Sequence, residues 1–131
     1  MKKIEVVAAI IKKNGHFLCC QRKNNKLKYL SEKWEFPGGK LEFGETREQA
    51  LEREIKEELE MKIFDIKFAL TIIHKYEDFE LTMHAFNVST NVEKFKLHAH
   101  KKAIWVTIKK LNELSWAEAD VPIVKYLENK L

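Results

Sequence analysis

Short runs rich in Val, Ile and aromatic residues alternate with polar turns along most of the chain, and this pattern predicts a series of β-strands. Between the first two runs, Asn14-Gly15 is typical of a tight hairpin turn, and Glu77-Asp78 is the expected turn between two later runs. The polar run at residues 22–33 has no clean period and is predicted to be a surface loop. Strands are predicted at residues 4–11, 17–21, 63–76, 79–89 and 103–106.

Two stretches have the period of an amphipathic helix. The first is predicted to begin near Thr46, because Thr46 and Gln49 form a capping-box pattern, and its apolar stripe is Leu51, Ile55 and Leu59. The second is predicted to be capped by Asp120, with Pro122 in its first turn, and its apolar face is Ile123, Val124, Leu127 and Leu131. Strands flanked by two helices, one of them in mid-chain, predict an α/β/α sandwich around a mixed β-sheet.

Three glutamates of the first helix are candidates for a metal site. Glu54, Glu57 and Glu58 stand at positions i, i+3 and i+4, so a helix would bring them to one face within about 5–6 Å of one another. Carboxylates grouped in this way are the oxygen ligands that hard divalent cations such as Mg²⁺ prefer, usually together with substrate phosphates and water. Upstream, Pro37-Gly38-Gly39 predicts a turn whose glycines let the backbone approach a ligand closely.

The spacing of these residues resembles the Nudix box, the signature of a family that hydrolyses nucleoside diphosphates linked to another moiety. The matching positions are Gly39, Glu45, Arg53, Glu54, Ile55, Glu57, Glu58 and Met61. The resemblance implies the same α/β/α sandwich and a Mg²⁺ ion, with Mn²⁺ as the alternative. Its implied ligands are Glu54, Glu57, Glu58 and the Gly39 carbonyl, supported by Glu45 and Arg53. Glu60 stands where the family usually has a glycine, which leaves the end of the helix in question.

Four further segments resemble the MutT-type branch of this family, including its CTP pyrophosphohydrolase-like and 8-oxo-dGTP diphosphatase-like members. They are IEVVAAII at 4–11, WEFPGGK at 34–40, IWV at 104–106 and WAEADVPIV at 116–124. The resemblance implies a single domain over residues 1–131 that cleaves a nucleoside triphosphate to the monophosphate and pyrophosphate. The residues it implies in substrate binding are Arg22 and Asp120, and Lys40 is a further candidate. Phe36 and Trp34 alternate across a short strand, so one of them could stack on the base, although aromatic residues at such positions are more often part of the core. An aspartate at 120 can accept from N4 of cytosine, while the helix-cap interpretation of Asp120 stays open.

One position weakens the resemblance to the MutT-type branch. Many MutT-type relatives have a glutamate about six residues before the late tryptophan, and this chain has Ala99 there, ahead of Trp105. A general base is still required, and the candidates are Glu57, Glu58, Glu93, His98 and His100. The pair of histidines around Ala99 could bind a metal, but two ligands among several lysines favour a surface loop.

Charge and cysteine content narrow the possible partners and compartment. A formal net charge of +4 and a pI of about 9.0 suit a polyanionic ligand. Cys19 and Cys20 are adjacent and form no disulfide framework, so a reducing cytoplasm is expected, and no stretch is long enough to span a membrane. We expect a nucleoside triphosphate substrate, no stable nucleic-acid binding, and a monomer or homodimer.

Two other functions stay open at the level of sequence. One is hydrolysis of a different diphosphate, such as ADP-ribose, a dinucleoside polyphosphate or the 5′ end of RNA. The other is a weakly catalytic module that binds nucleotide or RNA. Ala99, Glu60 and the lysines at positions 94, 96, 101 and 102 motivate the second alternative.

Overall fold

A computed structural model describes residues 1–130 of the chain. Short 3₁₀ turns at Ile108–Glu113 and Glu118–Asp120 precede the last helix. The strands and helices are β1 (Lys2–Lys13), β2 (His16–Gln21), β3 (Trp34–Glu35), β4 (Gly38–Lys40), α1 (Arg47–Leu59), β5 (Phe64–Lys75), β6 (Phe79–Ser89), β7 (Lys102–Thr107) and α2 (Val121–Glu128).

The strands form one mixed sheet. Its order is β3-β2-β1-β6-β5, with β4 paired to β1 and β7 paired to β2. Strands β1 and β6 run parallel, from Lys2 opposite Phe79 to Ile11 opposite Val88, whereas the other pairs are antiparallel. The predicted mixed sheet is therefore confirmed.

The residues of β1 alternate between the two faces of the sheet, and each face is covered by a helix. Val7, Ala9 and Ile11 pack with the buried face of α1, while Ala8 and Ile10 pack with that of α2. The same alternation sends Cys19 to the α2 layer and Cys20 to the α1 layer. The two apolar clusters are the two layers of the predicted α/β/α sandwich.

The hairpin between β1 and β2 closes where the sequence predicts it. Asn14 and Gly15 both have positive φ, at 52° and 76°. Two successive positive φ angles are the requirement of a type I′ turn, which Asn-Gly meets at low conformational cost.

The predicted turn at Pro37-Gly38-Gly39 is wrong, because Gly38 and Gly39 lie inside strand β4. They pair with Ala8 and Val7 of β1. A Cβ added to Gly38 would lie 1.9 Å from the carbonyl oxygen of Val7. These glycines are thus explained by close approach of two strands and, at Gly39, of a side chain of α1, rather than by a reversal of the chain.

Helix α1 begins and ends as the sequence indicates, with one unusual residue at its end. The Thr46 side chain accepts from the backbone N–H of Gln49 at 3.1 Å, and the Gln49 side chain accepts from that of Thr46 at 3.0 Å, so the capping box is confirmed. Leu59 is the last helical residue, and Glu60 follows in the left-handed conformation at φ 53°. The substitution in the box glycine position therefore leaves the helix end in place.

We expect replacement of Glu60 by glycine to stabilise the protein by about 0.5–1 kcal/mol, because a left-handed residue with a Cβ is strained. The contact between the Glu60 and His98 side chains would be lost, but both are about half exposed and such pairs contribute little. Urea unfolding of the parent, Glu60→Gly and Glu60→Ala measures the effect. The alanine variant loses the same contact and keeps the strain, so an alanine variant as stable as the glycine variant would contradict this explanation.

Two other sequence predictions need correction. Asp120 occupies the N-cap position of α2, but its side chain makes no capping hydrogen bond; Pro122 does lie in the first turn. Leu131 of the predicted apolar face lies outside the described residues.

The 22–33 run has no helix or strand, as predicted, but Leu30 is buried and Tyr29 stacks on Tyr76 at 5.1 Å between ring centroids. This loop is therefore packed against the sheet rather than free at the surface.

Candidate functional site

Arg53 is the centre of an ion-pair network on helix α1. Its Nε donates to Glu45 Oε2 at 2.6 Å and its Nη2 donates to Glu45 Oε1 at 3.0 Å. Its Nη1 donates to Glu54 at 2.8 Å and to Glu57 at 3.3 Å, and Nη2 also reaches the Lys40 carbonyl at 3.1 Å. The hydrogen bonds from Arg53 lower the pKa of Glu45. The guanidinium thus fixes the ends of several acidic side chains of the box at once.

Glu54 lies against the glycine of the box. A Cβ added to Gly39 would lie 2.2 Å from Glu54 Oε2, so the Glu54 carboxylate fills the space that the missing side chain leaves. The Glu54 side chain is only 15% exposed, whereas that of Glu57 is 58% exposed. Gly39 and Glu54, separated by fifteen positions in the sequence, are therefore neighbours in space.

Glu58 is turned towards the sheet and away from the Arg53 network. Its Oε1 atom is buried and has no hydrogen-bond partner. Burial raises the pKa of Glu58 to about 7, and the negative charges of Glu54 and Glu35 act in the same direction, against the opposing effect of His100. An acidic oxygen that is buried, unpaired and next to other carboxylates is placed to interact with a cation.

The three helix glutamates do not converge on one point in this structure. Within residues 1–130, no three His, Cys, Asp or Glu side chains form a ready-made metal cluster. Arg53 holds Glu54 and Glu57, whereas Glu58 points into the fold. The donor set nevertheless fits a hard divalent cation, because it consists of carboxylate oxygens and includes the unpartnered Oε1 of Glu58.

An apolar cavity of about 310 Å³ opens beside Glu58. Its wall is formed by residues of β1, β6, the β5–β6 turn region and the 22–33 loop. The apolar ones include Ile4, Val6, Leu30, Phe79, Leu81 and Met83. Gly39, Lys40, Arg22 and Glu58 line it as well, which brings predicted phosphate-binding and metal-binding residues to the same cavity. A pocket of this size and composition, with few polar groups, is typical of small-ligand sites.

Asp120 supplies a buried polar group to the wall of this cavity. It is 5% exposed, and its Oδ2 accepts from the backbone N–H of Phe36 at 2.9 Å. Burial and then the negative charge of Glu35 raise the pKa of Asp120 well above its usual range. A carboxyl in this state can carry a proton and donate, so Asp120 is able to match either an acceptor or an amino group on a ligand.

Phe36 and its neighbours belong to the core as much as to the cavity. Phe36 is 3% exposed and its ring stacks on Trp116, with centroids 4.8 Å apart. Trp34 is also buried. Phe36 therefore lines the cavity as part of a packed aromatic pair.

Arg22, Glu35 and His100 form a partly buried chain of hydrogen bonds. Arg22 Nη1 donates to Glu35 Oε1 at 2.9 Å, and the other oxygen of Glu35 is 3.0 Å from Nε2 of His100. Burial alone would raise the pKa of Glu35, but the hydrogen bond from His100 and the charge of Arg22 outweigh it and lower the pKa. Glu35 was not among the candidates from the sequence, and His100 was predicted to lie in a surface loop. The near-complete burial of His100 contradicts that prediction, and no local pattern would have indicated its contact with Glu35.

Two further candidates for the general base, Glu93 and His98, lie outside the cavity beside Glu58. Glu93 accepts from the Asn14 side chain at 2.9 Å, at the β1–β2 turn, and it lines neither the apolar cavity nor any pocket beside Glu58. His98 contacts Glu60 at the end of α1, so the two histidines around Ala99 have different partners. They do not form a two-ligand metal site.

Comparison with known proteins agrees with the architecture and the box. The profile of the NUDIX domain matches residues 6–126. The CTP pyrophosphohydrolase of Escherichia coli K12 is 32% identical over 125 residues, which is 95% of this chain and 91% of that protein. The 8-oxo-dGTP diphosphatase of Proteus vulgaris is 36% identical over 89 residues, covering 67% of this chain and 78% of that protein.

A solved structure gives the same result. The MutT protein of methicillin-resistant Staphylococcus aureus 252, a Nudix hydrolase, superposes with a TM-score of 0.71 at 36% identity, over 100% of both chains. No helix among residues 1–130 is long and apolar enough to cross a membrane. The family profile, the similar proteins, the α/β/α sandwich and the box on α1 all indicate the same family. The chain therefore belongs to the Nudix hydrolase family, in its MutT-type branch.

Proposed function

We propose that the protein is a Mg²⁺-dependent pyrophosphohydrolase that converts a nucleoside triphosphate and water into a nucleoside monophosphate and pyrophosphate. The observation that carries this proposal is an apolar cavity, large enough for a nucleoside, whose lining also includes Arg22 and Glu58. The relatives named as CTP pyrophosphohydrolase and 8-oxo-dGTP diphosphatase support the same class of substrate.

Nudix hydrolases generally use divalent metal ions, and we propose Mg²⁺ here, with Mn²⁺ as the alternative. Glu54, Glu57 and Glu58 would hold the ion, with help from the Gly39 carbonyl. Bound at this position, Mg²⁺ would neutralise phosphate charge and lower the pKa of a coordinated water. An all-oxygen donor set and the unpaired Oε1 of Glu58 support this choice of metal.

The other residues of the box act by positioning and charge. Glu45 and Arg53 would hold the ends of Glu54 and Glu57, since a bidentate guanidinium–carboxylate pair is stronger and more directional than a single contact. Arg22 would bind a phosphate oxygen, and Lys40 lies at the same cavity. The proton from water would pass to Glu57 or Glu58. The contacts of Glu93 with Asn14 and of His98 with Glu60 argue against those two residues.

The nucleoside would occupy the apolar cavity with its base near Asp120. We expect Asp120→Asn to change the ratio of kcat/KM for CTP over 8-oxo-dGTP by about tenfold or more, because an amide fixes the donor and acceptor that a carboxyl can exchange. The asparagine oxygen can still accept from the Phe36 N–H, which preserves the fold.

Steady-state pyrophosphate release from CTP, dCTP, 5-methyl-dCTP, dGTP and 8-oxo-dGTP measures this selectivity in the parent and the variant. An equal loss on all five nucleotides would show that Asp120 does not read the base.

We further propose that residues 1–131 act as a single catalytic domain in a reducing cytoplasm. The family profile covers residues 6–126, and Cys19 and Cys20 are both free and buried. The nucleotide is the partner that the site supports. The expectation of a monomer or homodimer stays a prediction.

A further inference from the structure

Helix α1 is too short to cover its whole side of the sheet. Strands β1 and β5 have 12 residues each and are about 40 Å long, whereas the 13 residues of α1 span about 20 Å. The apolar cluster beneath α1 includes Val7, Ala9 and Ile11 of β1 but no earlier residue of that strand. The beginning of β1 and the strands beside it therefore lie beyond the helix on this side.

The area of the sheet that remains on the α1 side is called the open face below. Lys3 and Glu5 lie on this side because they alternate in step with Val7 along β1. Residues that are opposite each other on paired strands share a side, which extends the face across β6 to β5. The residues of the open face are Lys3, Glu5, Phe68, Ile73, Lys75 and Glu80.

Two large apolar side chains are exposed on the open face. Ile73 is 68% exposed and Phe68 is 56% exposed, and Thr71, also exposed, lies between them on the same side of β5. Phe68 packs edge-on against Phe86, with ring centroids 5.7 Å apart, so its position is fixed although its outer side meets solvent. Exposed apolar groups surrounded by polar residues are typical of protein interaction sites.

The edge of β5 is a less suitable contact than its face. β5 is the outermost strand of the sheet, so one of its edges is free to pair with another strand. Irregularities between Phe64 and Lys67 and between Phe68 and Leu70 interrupt the strand, and such bulges prevent the regular addition of a further strand. A partner is therefore expected to pack on the open face.

Positive and negative charges are balanced on the open face. Lys3, Glu80 and Lys75 form one row across three strands, and Glu5 belongs to the next row. Among residues 1–130, Lys3, Lys75 and Glu80 form no ion pair. The Glu5 carboxylate is held by His84, whose Nε2 lies 2.6 Å away. A polyanion would be repelled by the two carboxylates, whereas a surface with the same mixture of charges would be complementary.

We propose that the open face is the interface of a symmetric dimer, with a second copy of this chain as its occupant. In a two-fold contact residues meet in reciprocal pairs, so each face must carry both members of every pair. With strands about 4.8 Å apart and alternate residues about 7 Å apart along a strand, the rotation that places Lys75 over Glu5 of the second copy also places Lys3 near its Glu80.

This arrangement buries the apolar strip and leaves the nucleotide site open. Two sheets packed face to face are about 10 Å apart, which brings Ile73 of each copy against the sheet of the other. The residues of the open face line none of the cavities beside Glu58. The inference therefore goes beyond the proposed hydrolysis and does not depend on it.

Sedimentation of the whole chain over a range of concentrations tests the dimer. We expect a Kd on the order of 10 μM for the parent, as for other small interfaces, and a weakening by about tenfold or more in Ile73→Lys. Phe64→Lys is the matched control, because Phe64 is an exposed residue of the same strand but lies opposite Ser89, on the other side of the sheet. It should change the Kd by less than about twofold.

Exchange of charges tests the two-fold arrangement itself. Lys3→Glu and Glu80→Lys each place like charges together in their own dimers, and each should weaken association by about tenfold. An equimolar mixture of the two variants restores opposite charges at both contacts, and its association should return to within about threefold of the parent. Thermal unfolding of each variant shows that the fold is kept.

Three results would overturn the proposal. They are a parent that stays monomeric at about 500 μM, equal weakening by Ile73→Lys and Phe64→Lys, and a mixture of the charge variants that associates no better than each alone. A monomeric parent that co-sediments with anionic phospholipid vesicles, and loses this binding in Ile73→Lys, would assign the open face to a membrane surface instead. Because sedimentation does not measure turnover, none of these results bears on the proposed hydrolysis.

Discussion

Glu58→Gln is expected to lower the turnover of nucleoside triphosphates by about 100-fold or more and to leave the fold intact. The glutamine has the shape of the glutamate but lacks the negative charge that a divalent cation requires. Glu58 Oε1 is buried without a partner, so the substitution breaks no hydrogen bond at that atom. It also removes a charge whose burial is unfavourable, as the raised pKa of Glu58, about 7, indicates. Stability should therefore be unchanged or higher.

Glu52→Gln is the matched control for this prediction, because Glu52 lies on the same helix, is exposed and is not one of the matching positions of the box. Steady-state kcat and thermal unfolding of both variants separate a catalytic effect from a structural one. We expect Glu57→Gln to behave like Glu58→Gln in turnover. A Glu58→Gln enzyme within about threefold of the parent, or an equal loss in Glu52→Gln, would contradict the role given to Glu58.

Gly38→Ala is expected to have the largest effect on folding, with a loss of about 3 kcal/mol or more of unfolding free energy. The added Cβ would lie 1.9 Å from the Val7 carbonyl oxygen and 2.8 Å from the Ala8 Cα, and both of these atoms are backbone. Neither can move without shifting β1, which pairs with β6 over most of its length. The clash therefore cannot be relieved by a side-chain rotation.

Gly44→Ala provides the comparison for steric crowding. Gly44 has a φ of 85°, but nothing lies within 4 Å of the position of an added Cβ. Its substitution should cost only the strain of a left-handed residue, about 1 kcal/mol. Denaturant unfolding of both variants gives the two values. A Gly38→Ala protein no less stable than Gly44→Ala would mean that β4 does not approach β1 as closely as described.

Features that depend on neighbouring residues could be predicted from the sequence. The Asn14-Gly15 turn, the capping box of Thr46 and Gln49, and the alternation along β1 all follow from contacts within a few positions of the chain. The sandwich followed from these local elements, because strands and helices with one apolar side must cover each other.

Features that depend on distant residues could not be predicted in the same way. Gly38 was predicted to be in a turn, since nothing near it in the sequence indicates that β4 pairs with β1. Asp120 was considered as a helix cap, but the Phe36 N–H that it binds is 84 positions away. The partnership of Glu35 with His100 spans 65 positions. Such contacts are set by the topology of the sheet, and local propensity carries no information about that topology.

The candidate site lies between these two cases. The box spacing identified Glu54, Glu57 and Glu58 together, but their individual directions depend on Arg53 and on the cavity beside β1. Helical spacing alone indicates that the three glutamates share one face of α1. Packing against the sheet then separates Glu58, which faces inward, from Glu57, whose side chain is 58% exposed.

The products formed from the five nucleotides, with and without Mg²⁺, test the central claim most directly. For the nucleotides that are turned over, we expect monophosphate and pyrophosphate in equal amounts. We also expect the reaction to stop when Mg²⁺ is chelated and to be lost in Glu58→Gln. Release of orthophosphate with a nucleoside diphosphate, or turnover that survives both chelation and the Glu58→Gln substitution, would contradict it.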